Sequence, residues 1–176
     1  KERKGTLGSY YAISDYCATN PEFGTLEDFD AFVAKAHELG LKVIIDWVAN
    51  HTSPDALWIT ERPADWYVRD EQGNTIVQYD WTDIAKLNYD NHDMRAEMEK
   101  CMRFWMERGI DGFRCDMACE MPFDFWKSVI PSIRKDYPQM YWLAEGEHVE
   151  LHNGSFDASY AWELHHLLNA IARGEK

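Results

Sequence analysis

Apolar residues along this chain alternate between helical spacing and short continuous runs, a pattern that predicts helices interleaved with buried strands. "GTLEDFDAFVAKAHELG" puts Leu26, Phe29, Val33 and Ala36 on one helical face, with Thr25 as N-cap, Asp28 reaching back to it, and Gly40 as the stop. "LKVIIDWV" follows, a β-branched run with little alternation, as suits a parallel strand buried on both faces. Between 52 and 92 the periodicity lapses. Pro54, Pro63, Gly73 and three tryptophans mark a small inserted loop subdomain there.

Regular spacing returns in "DMRAEMEKCMRFWMERG", where Met94, Met98, Cys101 and Trp105 share a helical face and Gly109 ends it. The strand "GFRCD", a helical stretch near 122–136 disturbed by Pro131, and the strand "MYWLAEG" come next. "FDASY" reads as a strand and about 161–174 as a closing helix, while "GSYYAISDY" near the start reads as another short strand. About five strands alternating with helices predict one domain, built on a parallel sheet with right-handed crossovers.

Composition narrows the partners. Eighteen basic residues against 31 acidic ones make nucleic acid and anionic membrane surfaces poor candidates. No apolar run reaches the length of a membrane span, and the basic N-terminus lacks the apolar segment of a signal peptide. The chain therefore reads as starting in the middle of something, with an extracytoplasmic setting slightly favoured. Cys17, Cys101, Cys115 and Cys119 form no C-x-x-C or zinc-finger spacing and read as reduced, small hydrophobes. Strand parity turns Cys115 away from whatever Asp116 faces.

Chemistry concentrates at the C-terminal ends of the predicted strands, where parallel α/β folds meet their ligands. One strand ends in Asp46 and runs on to Asn50 and His51, the next in Arg114 and Asp116, and the next in Glu145 with Glu147 beyond. An arginine beside Asp116 would hold it ionised as a nucleophile. Glu145, after the apolar Leu143 and Ala144, would stay protonated as a general acid. That division suits glycoside hydrolysis by two carboxylates. Each feature alone has a bland reading: an Arg-x-Asp on a strand is commonly just an ion pair, and a single histidine is commonly structural. Glu147 shares the parity of Glu145 and competes as the acid; Glu145 is preferred because it ends the apolar run. "HVELH" spaces His148 and His152 like a metal pair but is not H-E-x-x-H, so both are read as lining the loop after "MYWLAEG". Solvated or capping roles suffice for His165 and His166.

These residues resemble the alpha-amylase family of glycoside hydrolases. "DWVANH" is similar to the family's D-x-x-x-N-H motif, "GFRCD" to G-x-R-x-D, and "LAEGE" to the motif carrying the general acid/base. "YAISDYCATNPEFGT" resembles the family's second-strand region. The resemblance implies Asp116 as covalent nucleophile, Glu145 as general acid/base, and Tyr11 as the ring stacking on the cleaved sugar. Asp46, His51 and Arg114 are implied as substrate-binding groups. It implies an eight-stranded (β/α) TIM barrel, of which this chain carries about strands two to six with a short excursion after strand three. It also implies retaining cleavage of alpha-1,4-glucosidic bonds in starch-like glucans or maltooligosaccharides. Transglycosylation within the family and a non-catalytic glucan-binding protein stand as alternatives. The family's seventh-strand aspartate lies outside the chain; alone, the 176 residues are expected to be inactive and to self-associate through open sheet edges.

No cofactor is expected. Many family members hold calcium beside the excursion, and Asn50 matches one ligand. "DIAKLNYDN", however, puts Lys86 where an aspartate is expected, and Glu120 stands at a histidine's place. Lys86 is expected to replace the cation and bond the same oxygens, Asn50 included, or to be a solvated lysine.

Overall fold

The computed structural model describes residues 9–176. The chain runs through α1 (Leu26–Glu38), β1 (Ile44–Trp47), β2 (His51–Thr52), α2 (Leu57–Glu61), β3 (Ala85–Lys86) and α3 (His92–Glu107). It continues through β4 (Gly112–Cys115), α4 (Phe123–Arg134), β5 (Tyr141–Ala144), β6 (Ala158–Ser159) and α5 (Trp162–Ala172). Strands β1, β4, β5 and β6 pair in that order, all parallel, and helices carry the chain between them, giving a segment of a (β/α) barrel.

Local signals account for the helices. Thr25 and Asp28 close the capping box of α1, and Gly40, at φ +75°, takes the left-handed conformation past its end. The predicted apolar face of α3 is inside, with Met94, Met98, Cys101, Met102 and Trp105 buried. Helix α4 runs on through Pro131 without breaking, because Val129, Ile130 and Ile133 are buried on either side of it and hold the turn in place.

The sheet centres on Phe113 of β4, fully buried, with the rings of Trp47 and Trp142 each 5.3 Å away. Truncating so enclosed an aromatic to alanine typically removes about 3–5 kcal/mol. β4 begins at Gly112, where a Cβ would stand 2.3 Å from the Tyr141 carbonyl; only glycine lets β4 and β5 approach so closely. β1, by contrast, is not buried on both faces as its composition predicts. Ile44 is 39% exposed, since β1 pairs only with β4 among the described residues and lies at the sheet's edge.

The predicted strand over 8–16 is absent across its described part, and Gly8 and the basic N-terminus lie outside the described residues. Ser9–Tyr16 forms turns. The carbonyls of Ile13 and Ser14 accept from the N–H groups of Ser53 and Leu57, so they face the excursion and not a strand of the sheet. The excursion is necked by β2 and β3, antiparallel with His51 opposite Lys86, and packs Trp58, Trp66 and Tyr67 inside. Among the described residues no helix is long and apolar enough to cross a membrane.

Candidate active site

Register sets the geometry. Asp46 stands opposite Arg114, and Cys115 opposite Ala144, so Asp116 and Glu145 leave adjacent strands at the same level. Parity buries Cys115 behind the sheet, as expected, while Arg114, Asp116 and Glu145 line a cavity of about 370 Å³ at the strand ends with Tyr11, His51 and Trp81.

Arg114 organises this end. Its Nη1 donates to Asp46 Oδ1 and to Asp116 Oδ1, both at 2.8 Å, and its Nη2 pairs with Glu145 Oε2 at 2.9 Å. One planar guanidinium thus bridges three carboxylates, which a lysine, as a point charge, cannot do with the same geometry. Glu145 Oε2 also accepts the N–H of Met117 at 2.9 Å. To deliver that bond Met117 adopts φ +47° and ψ +42°, a left-handed conformation unusual outside glycine.

Arginine does not by itself settle the charge on Asp116. Burial first, and the adjoining Glu145 second, push the Asp116 carboxyl up to about 7, against the downward pull of Arg114. The expectation that Arg114 holds Asp116 firmly ionised is therefore corrected: removal from water and a second carboxylate outweigh one guanidinium shared three ways.

Tyr11 donates its hydroxyl to Asp46 Oδ2 at 3.0 Å, and that bond raises its pKa. His51 is buried, and burial lowers its pKa, keeping the ring neutral at neutral pH. Its Nε2–H faces the Tyr11 carbonyl at 3.1 Å, which leaves Nδ1 to accept from Asn50 Nδ2 at 3.2 Å. In this arrangement His51 secures the loop that carries Tyr11 as well as lining the cavity.

Glu147, the competing acid, is turned elsewhere: both its oxygens accept the Glu163 N–H, at 3.1 and 3.0 Å, capping α5. His148 stacks on Phe123 and His152 bonds Ser159, so the "HVELH" pair is divided between different partners. All four thiols are unpaired; Cys101 and Cys115 are buried, but Cys119 is exposed and not the packed hydrophobe expected.

At the excursion neck, Asn50 Nδ2 donates to Gln78 Oε1 at 2.6 Å, and Gln78 Nε2 donates to Glu120 Oε2 at 2.7 Å. Tyr79 donates to the other Glu120 oxygen at 2.8 Å. The donors along this hydrogen-bonded path are amides and a phenol, and its single carboxylate, Glu120, accepts on both oxygens; calcium takes six to eight oxygens, usually including carboxylates. Lys86 does not replace the cation either: no hydrogen bond joins it to Asn50 among the described residues. It pairs across from His51, so it shares that residue's face, and Asn50, one position earlier, points to the other.

Sequence reasoning missed Trp81, Asp83 and Met117 in the cavity wall, Gln78 at the neck, and Tyr160, whose hydroxyl accepts from Arg114 Nε at 3.1 Å. An aromatic following the "FDAS" strand at a strand end was the available signal for Tyr160.

Comparison with known proteins identifies the family. The alpha-amylase catalytic domain profile matches residues 6–75 and 62–173. A crystal structure of an alpha-amylase from Lactobacillus plantarum superposes with a TM-score of 0.92 at 38% identity, over 99% of this chain and 45% of that one. Alpha-amylase 3 of Dictyoglomus thermophilum is 30% identical over 161 residues, 77% of this chain and 32% of the relative. An alpha-1,4-glucan:maltose-1-phosphate maltosyltransferase of Arcanobacterium haemolyticum is 34% identical over 152 residues, 80% and 22% of the respective lengths. The chain thus spans about a third or less of these two curated relatives.

Proposed function

Since the chain belongs to the alpha-amylase family, we propose that it carries the nucleophile and the acid/base of a retaining glycoside hydrolase acting on alpha-1,4-linked glucans or maltooligosaccharides. One observation carries the reading: a single guanidinium spans Asp116 and Glu145 at the mouth of one cavity. Retaining enzymes hold their carboxyl groups about 5–5.5 Å apart and inverting ones about 6.5–9.5 Å. Two carboxylates bridged by one arginine fork suit the closer spacing.

In the proposed reaction Asp116 attacks the anomeric carbon while Glu145 gives its proton to the departing glycosidic oxygen. The glycosyl–Asp116 ester is then hydrolysed by a water whose proton Glu145 takes back. The reaction needs the proton on Glu145 and not on Asp116. Positive charge developing at the sugar ring stabilises the ionised form of Asp116, so the reacting substrate itself favours that distribution. Asp46, held by Arg114 and Tyr11, has acceptor oxygens for sugar hydroxyls, and the Tyr11 ring, 43% exposed, offers an apolar face. The non-catalytic alternative is disfavoured because Arg114, Asp116 and Glu145 are all present and mutually bonded.

A slow 5-fluoroglucosyl or 2-deoxy-2-fluoroglucosyl substrate tests the assignment, on the protein with whatever native sequence flanks these residues. Peptide mapping is expected to find the sugar on Asp116; label on Glu147, or no label, rejects it. A second reading, transfer of the glycosyl group to a sugar acceptor, is favoured by the likeness to a maltosyltransferase. It predicts longer oligosaccharides among the products when acceptor sugar is in excess.

We take the excursion neck to need no calcium, because amide and phenol donors occupy the carboxylate a cation would use.

A further inference from the structure

Tyr160 follows β6 and stands over the end of β5. Its main-chain N–H is shared between the carbonyls of Ala144, at 3.3 Å, and Gly146, at 3.1 Å, the two residues flanking Glu145. Its phenolic oxygen accepts from Arg114 Nε at 3.1 Å, and the guanidinium carbon lies 5.6 Å from the ring centroid. Trp162 packs edge-on against the ring, with centroids 5.5 Å apart and planes at 86°.

Arg114 gives Nη1 to Asp46 and Asp116 and Nη2 to Glu145, leaving Nε–H as the arm the carboxylates do not use. A guanidinium is a rigid planar fork, so fixing the direction of Nε–H fixes where the other donors point. Tyr160 does this from a backbone tied to both sides of Glu145.

We propose that Tyr160 is a positioning residue of the reaction: it holds the Arg114 fork in the plane that divides its donors between Asp116 and Glu145. The proposal rests on the retaining reading above. The carboxyl of Asp116 is near neutrality because burial and Glu145 raise it while Arg114 lowers it. If the fork turns, the lowering weakens first, since it depends on a directed hydrogen bond. The other ionisable groups facing the cluster are Asp46 from β1, Tyr11, His51 from β2, Asp83 from the excursion and Glu145 just past β5; of these Asp46 and Glu145 share the Arg114 fork with Asp116 and respond to its turning.

Tyr160→Phe removes only the acceptor and keeps the ring, the packing on Trp162 and the main-chain N–H. The expected result is kcat lower by about tenfold with KM within about twofold, as for loss of an interaction that matters at the transition state. The acid limb of the kcat/KM profile should move up by about half a pH unit, since the nucleophile becomes harder to ionise. Carbon-13 NMR of the labelled aspartate carboxyls reads the same upward shift without turnover, so it decides the proposal even if the wild type cleaves no glucan. In that event the failed labelling of Asp116 rejects the retaining reading separately. Trp162→Phe, which alters packing but leaves the phenol, should leave the titration in place. The proposal is overturned if Tyr160→Phe leaves the carboxyl titration and the acid limb at their wild-type positions, if it only lowers thermal stability, or if Trp162→Phe shifts the titration equally.

Discussion

Six residues, Asp46 to His51, feed two polar regions built on opposite principles. At the strand ends Asp46 enters an ionic cluster in which one cation serves three carboxylates. At the neck Asn50 enters a chain of amide and phenol hydrogen bonds that reaches a single carboxylate, with no cation among its members. The neck has fixed, matched donors and acceptors, and is built to hold shape. The cluster is short of positive charge, and burial leaves one of its carboxyls titrating near neutrality. A region proposed to move protons keeps its charge unresolved; a region that only holds position resolves it.

The sharpest way to break this contrast is at the carboxylates. In the protein with its native flanking sequence, Asp116→Asn should reduce kcat by about four orders of magnitude or more, as loss of a covalent nucleophile does. Glu145→Gln should lose about 10²–10⁴-fold on glucans but much less on aryl glucosides with good leaving groups, which need little acid help. Equal losses on both substrates would remove Glu145 from its role.

The charge imbalance should also appear in stability. Asp116 titrates near 7 when folded against an ordinary value of 3.8, so between those values the native state binds the proton and the unfolded chain does not. Stability from this group is therefore fully present below about pH 4 and is lost as pH rises through about 7. Asp116→Asn should melt a few degrees above wild type at pH 8, with the gap closing toward pH 4. A constant gap across the range would contradict the raised value.

At the neck the effects should be smaller and independent of metal. Gln78→Ala removes one of the two partners of the Asn50 amide and strands one Glu120 oxygen, for about 1–3 kcal/mol by thermal or urea unfolding. Chelator should leave the wild-type melting temperature unchanged, and Lys86→Asp should stay within about 0.5 kcal/mol. A large drop on chelation would restore a cation to this junction. Smallest is Glu147→Ala, expected to lose about 1 kcal/mol with the α5 cap and to leave kcat alone.

The division between the two regions also marks what was legible beforehand. Helices α1 and α3 announce themselves by spacing and caps, and β4 and β5 by apolar runs ending in charge, so Arg114, Asp116 and Glu145 could be placed together by strand parity. Side chains whose direction depends on tertiary contacts could not. Tyr160 follows a two-residue strand too short to show a period, and Gln78 precedes Tyr79, whose φ of +54° marks an irregular turn. The expected bond from Lys86 to Asn50 fails, leaving the solvated alternative, because the face of Lys86 depends on pairing with His51, a long-range register. The segment 8–16 has a strand's composition, but the carbonyls of Ile13 and Ser14 find the excursion instead.

Position 117 offers a last reading, for anyone who would redesign this cavity by mutational scanning. Met117 bonds the carboxylate pair through its N–H, from a backbone twisted into the left-handed region. Tolerance there should sort by backbone preference and not by size or polarity. Glycine and asparagine should pass, valine and isoleucine should fail by branching at Cβ, and proline should fail twice, having neither the conformation nor the hydrogen.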